Sequence, residues 1–147
     1  MRYTPRLAKR RKILPPMNTD TRRFDQITEA IIGAAYKVSN TLGAGFLEKI
    51  YENAMAIELR KSGLAVTQQA PYRVLYDVLY DGVVVGDYLA DMVVEETVLV
   101  ELKAANSLNK SHMAQCLNYL KASNLNIRLL INSGRPKVQI QRIVNSK

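Results

Sequence analysis

The sequence predicts an α/β fold, a mixed central sheet flanked by helices, with two helices at the N-terminal end. Three observations carry the prediction. Apolar side chains recur at helical spacing on either side of a Leu42-Gly43-Ala44-Gly45 break. After Gly63 the period changes to that of strands, with turn signals between the runs. A further helical stretch then precedes two late strands, so the order is helix–helix, antiparallel strands, then helix and strand.

Taken in order, Asp25 reads as an N-cap, followed by Ile27, Ala30, Ile31, Ala34, Ala35 and Val38 at helical spacing. The second helix runs from about Phe46 to Lys61, with Leu47, Ile50, Ala54 and Ile57 on one face and Gly63 as its stop. Residues 64–69 form a short candidate strand and 72–80 a second, with three tyrosines. Asp81-Gly82 is a hairpin turn signal. Val83 to Val94 is extended with a break near Gly86, Glu95-Glu96 turns the chain, and Thr97 to Lys103 is the next strand. Residues 109–122 are predicted helical, 126–132 an apolar strand, and Lys137 to Val144 an alternating one. Residues 1–20 read as a flexible basic leader with Pro15-Pro16, and 21–147 as one domain.

Composition bounds the chemistry. One cysteine, Cys116, excludes an intrachain disulfide and fits a reducing, cytoplasmic setting. One histidine and one cysteine exclude a His/Cys zinc site, so any metal must sit on carboxylates, which points to Mg2+ or Mn2+. No apolar run approaches the ~20 residues needed to span a bilayer, and no membrane partner is expected. The net charge of +8 is uneven: Arg2, Arg6, Lys9, Arg10, Arg11 and Lys12 precede any acid, and eight Lys or Arg residues follow the last acid, Glu101. A phosphate-backbone binder has this pattern, with Arg10, Arg11 and Lys12 as candidate contacts; a solvated tail has it equally well.

The local signal for chemistry lies on the strand Thr97–Lys103. A period of two puts Glu101 and Lys103 on the same face, and the hairpin through Glu95-Glu96 brings Asp91 near them, with the register open. Two carboxylates and an ammonium suit metal-assisted phosphodiester cleavage; a surface salt bridge on Lys103 is the plain alternative. Glu48 and Tyr51 share a helix face, where Glu48 could equally serve the helix dipole. His112 and Gln115 are likewise three apart.

These residues resemble a known family. Gly45-Phe46-Leu47-Glu48-Lys49-Ile50-Tyr51 is similar to the signature that names the GxxExxY proteins, which are assigned to the PD-(D/E)XK nuclease-like superfamily with its restriction-endonuclease-like fold. The resemblance continues in order through Ile32-Gly33-Ala34-Ala35, Ala90-Asp91, Val100-Glu101-Leu102-Lys103, His112-Met113-Ala114-Gln115, Leu117-Asn118-Tyr119-Leu120, Leu129-Leu130-Ile131-Asn132 and Arg142-Ile143-Val144. It implies Asp91 and Glu101 as metal-holding acids, Lys103 as the motif lysine and Glu48 as an extra helix-borne acid. Gln115 would orient water or phosphate, and Tyr51 and His112 would contact substrate or pack around the site. Ala90 stands where the superfamily name has proline, Ser39 where a histidine is expected, and Ala44 where a proline is expected; none of these removes a metal ligand.

The expectation is a divalent-metal-dependent nuclease acting on nucleic acid, DNA ahead of RNA. The alternatives are a non-catalytic nucleic-acid-binding or accessory protein that keeps the fold, and a homodimerisation module using the tyrosine-rich stretch 72–80.

Overall fold

Phe24, Ile27, Ile31, Ala34, Ala35 and Val38 fall on one stripe and wind the chain into α1 (Thr19–Leu42). The structure, a computed structural model, describes residues 19–76, 83–114, 125 and 127–144. The Asp81-Gly82 turn, the second half of the helix expected at 109–122, and the basic residues of the leader lie outside that range. The first correction is to the start of α1. Asp25 is not its cap but an interior residue, with Arg142 Nη2 at 3.9 Å from its carboxylate. Tertiary contacts extend the helix: Arg23 pairs with Glu95 and Phe24 packs on the core.

Helix α2 (Glu48–Lys61) corrects a second expectation. Of the stripe Leu47, Ile50, Ala54 and Ile57, only Ala54 packs against the core, partly buried, while Leu47 is 75% and Ile57 53% exposed. The buried face is Tyr51, Glu52, Met55, Ala56 and Leu59. Both stripes have helical spacing, and the larger side chains at 51, 55 and 59 win the core. Gly63 ends the helix as expected, with Leu64 N–H bonded to the Leu59 carbonyl at 3.1 Å.

The sheet is β1 (Val66–Tyr76), β2 (Val83–Val94), β3 (Val98–Lys103), β4 (Ile127–Asn132) and β5 (Gln139–Val144), in that spatial order. Only the β3–β4 pair is parallel, so the sheet is mixed as predicted. The two strands expected over 64–80 are one strand in the described range. Pro71 does not interrupt it because β1 is an edge, where a missing N–H costs no ladder bond. The break expected near Gly86 is a register shift opposite Val74/Leu75.

Val98, Val100 and Leu102 of β3, with Ile127, Leu129 and Ile131 of β4, form the main core against α1 and α2. Ala70, Tyr88, Ala90, Val93 and Leu99 make a smaller cluster with Tyr72 and Leu125. The hairpin between β2 and β3 turns through Glu95 and Glu96, both at positive φ (54° and 57°), as tight primed turns demand. Glu95 offsets that strain by accepting the Ala65 N–H at 2.6 Å and pairing with Arg23.

Candidate metal centre

The β2–β3 ladder pairs Val94 with Val98, Val93 with Leu99 and Met92 with Val100, and ends there. Continued by one step it would set Asp91 opposite Glu101. Instead Asp91 Oδ2 accepts the Leu102 N–H at 2.7 Å, so a side chain takes the place of a ladder carbonyl. On the other side of β2, Gln69 lies across from Asp91 with φ 54°, and the β1–β2 ladder skips that pair. Both neighbours therefore loosen at Asp91, which opens the sheet around its carboxylate. The acid is crowded: burial and the charge of Glu101, with smaller contributions from Glu52 and Glu48, push its pKa from 3.8 up to about 6 against the Leu102 hydrogen bond.

Glu101 is buried, 8% exposed, and is anchored through one oxygen. Its Oε1 accepts from Arg128 Nη2 at 2.6 Å and from the Tyr88 hydroxyl at 2.8 Å. Arg128 is fully buried, also donates to the Tyr88 hydroxyl oxygen, and lies 5.5 Å from that ring's centroid. Burial and the Glu101 charge raise the Tyr88 pKa far above the ordinary phenol value, so its hydroxyl remains a donor. Neither Arg128 nor Tyr88 was singled out from the sequence. The signal was there: a charge within the apolar run 127–132 must find a buried partner or be very costly.

From α2 come two more acids. Glu48, in the first turn, reaches the end of β3, where its Oε2 accepts the Ala104 N–H at 3.2 Å. Glu52, one turn on, is 3% exposed and spends both oxygens: Oε2 accepts from Lys49 Nζ and Gln68 Nε2, and Oε1 from Gln69 Nε2. Glu52 thus adds charge beside Asp91 with its lone pairs engaged. Tyr51 is fully buried; its hydroxyl donates to the Gly43 carbonyl at 2.6 Å and accepts the Phe46 N–H at 3.2 Å. Of the two roles left open for Tyr51, packing is the one its burial permits. It ties the loop at Gly43 (φ 73°) to α2 and so sets where Glu48 begins.

Lys103 is the last residue of β3, partly exposed, and makes no ion pair with any described residue. Its strand end is fixed by Asn132, fully buried, which bonds both the N–H and the carbonyl of Ala105 at 2.9 Å. Gly134 lies so close that an added Cβ would sit 2.4 Å from the Ala105 carbonyl oxygen. His112 stands apart from the acids in its contacts. Asn109 Oδ1 accepts the His112 N–H at 3.0 Å, and His112 Nδ1 accepts the Asn109 N–H at 3.3 Å, a reciprocal cap on the helical residues 110–114. Gln115, Arg10, Arg11 and Lys12 lie outside the described residues. An open cleft of about 550 Å³ between residues 108–113 and β5 takes in none of the acids.

Asp91, Glu101 and Glu48 share one arrangement: each anchors an oxygen on a protein donor and keeps the other free of any hydrogen bond to the described residues. Among those residues, no three acid, histidine or cysteine side chains stand close enough to hold an ion together. The donor set still fits a hard cation. Mg2+ needs only one or two carboxylates and keeps several waters, and a cation would relieve the crowding that raises the Asp91 pKa.

Among solved structures, the chain is similar to the crystal structure of SSO0001, with 17% identity and a TM-score of 0.54 over 86% of this chain and 61% of that one. It is also similar to the alkaline exonuclease LHK-Exo from Laribacter hongkongensis, with 14% identity and a TM-score of 0.47 over 88% of this chain and 73% of that one. The chain spans 61% of the length of SSO0001, and at 17% identity that likeness speaks for the fold alone. No curated protein matches. A family model does, and it runs over residues 25–143, from the first turns of α1 to the end of β5 with the β2–β3 divergence inside it. By that match the chain belongs to the PD-(D/E)XK nuclease superfamily.

Proposed function

We propose that the chain is a divalent-metal-dependent nuclease that hydrolyses phosphodiester bonds, with DNA the first substrate to try. The observation that carries the reading is that Asp91 and Glu101 lie on neighbouring strands where the β2–β3 ladder ends, each with an oxygen free of hydrogen bonds from the described residues, and Lys103 stands at the same strand end. Asp91 and Glu101 would hold Mg2+ or Mn2+ with water filling the remaining positions, and Glu48 would act on the ion through water. Such a cation supplies Lewis-acid stabilisation of the phosphate and lowers the pKa of water. Lys103 brings an ammonium to the charge that develops on phosphorus-bound oxygen. Gln115 orients water or phosphate, His112 packs at the rim, and Arg10, Arg11 and Lys12 add phosphate contacts along the basic leader. Within the superfamily, the run Gly45–Tyr51 supports membership of the GxxExxY proteins.

Cleavage of labelled DNA and RNA in Mg2+ or Mn2+, abolished by EDTA, is the expected result. One observation favours a second reading, a nucleic-acid-binding protein without cleavage: Glu101 is committed to a buried ion pair with Arg128. Metal-independent binding with steep salt dependence and no cleavage of any substrate would turn the assignment that way. Light scattering on the same preparation reads whether two copies associate, as the tyrosine-rich stretch 72–80 suggests.

A further inference from the structure

We propose that Arg128 is an internal counter-ion of the metal centre, which balances the charge of Glu101 whether or not a cation is bound. The inference rests on the nuclease reading above. Arg128 occupies a strand whose neighbours Ile127, Leu129 and Ile131 pack into the main core, and it is fully buried on β4, next to β3. An apolar residue would fill that position without the desolvation penalty of a guanidinium. What the guanidinium adds is a fixed cation 2.6 Å from one oxygen of Glu101.

The contacts are one-sided. Arg128 and Tyr88 both bind Oε1, and Oε2 accepts no hydrogen bond from the described residues. A carboxylate clamped at one oxygen by a planar donor and a hydroxyl has a fixed orientation, which leaves the second oxygen for a ligand. Asp91 and Glu101 sit on neighbouring strands, one step beyond the last Met92–Val100 pair of the β2–β3 ladder. Arg128 balances the charge of Glu101 at Oε1. Removing it leaves a buried acid without its counter-charge, and a divalent cation bound at the pair then has more to compensate.

The test is thermal unfolding of the full chain, followed by circular dichroism in EDTA and in saturating Mn2+. Wild type, Arg128→Lys and Arg128→Met are compared. Arg128→Met should melt lower in EDTA and gain more from the metal, its Mn2+-induced rise in Tm being roughly twice that of wild type. Arg128→Lys, which keeps the charge, should follow wild type. A rise in Arg128→Met no larger than wild type would reduce Arg128 to packing and overturn the proposal. If Arg128→Met fails to fold in EDTA, recovery of its native spectrum on adding Mn2+ supports the proposal, and failure to recover overturns it. A wild type with no Mn2+-induced rise would instead remove the metal centre itself, and this inference with it.

Discussion

Replacing Asp91 by asparagine should make the metal-free protein more stable while removing its response to metal. Burial and neighbouring carboxylates raise the Asp91 pKa from 3.8 to about 6. At about 1.36 kcal/mol per tenfold change, the ionised form is disfavoured by roughly 3 kcal/mol in the fold relative to the unfolded chain. The carboxyl is partly exposed, and solvent screening brings the net effect to about 1–2 kcal/mol. Asparagine keeps an oxygen to accept the Leu102 N–H and carries no charge. Urea unfolding in EDTA at pH 8 should therefore show the variant more stable by about 1–2 kcal/mol, or roughly 2–8 °C in Tm. The sign of the pH dependence follows. A raised folded-state pKa favours the fold when the group is protonated, so wild type gains on the variant as pH falls from about 6 to 3.8, and the two converge below. Mn2+ should raise the Tm of wild type and leave that of the variant nearly unchanged. A variant less stable than wild type at pH 8, or a difference that does not change with pH, would refute the electrostatic argument.

Glu101→Ala should lose roughly 3–5 kcal/mol of stability in urea unfolding, because it breaks the ion pair of a fully buried Arg128; a loss below about 1 kcal/mol would contradict the buried pair. Lys103→Ala should leave stability within about 0.5 kcal/mol of wild type, since the side chain makes no ion pair among the described residues, while single-turnover cleavage falls roughly 100-fold or more. Gly134→Ala should cost about 1–3 kcal/mol, read in the same unfolding experiment, because the new methyl meets the Ala105 backbone and must push the end of β3 away. An unchanged midpoint there would mean that the 133–135 loop yields freely.

The strands after Gly63 were legible because alternation and turn residues act locally: β3, β4 and β5 fall within two residues of their predicted ends. The start of α1 was not, because Arg23 and Phe24 are held by contacts with Glu95 and the core, far away in sequence. The face of α2 was misread because two apolar stripes compete on it, and only the buried hydroxyl bonds of Tyr51 reveal which one turns inward. For the site, the hairpin argument placed Asp91 near Glu101 but could not supply the register. What makes the place special is the failure of both ladders at Asp91, a property of the sheet rather than of any run of residues. Glu52 continues the helix face of Glu48 and Tyr51 in the sequence, but its burial shows only once Lys49, Gln68 and Gln69 are seen around it.

The most direct test of the central claim is the initial rate of cleavage of labelled DNA in Mn2+ by wild type and by Asp91→Asn, a variant expected to be at least as well folded. The account predicts cleavage by wild type that EDTA abolishes, and none above background by Asp91→Asn. Cleavage by pure Asp91→Asn at the wild-type rate, or wild-type cleavage indifferent to EDTA, would contradict a metal centre built on Asp91 and Glu101.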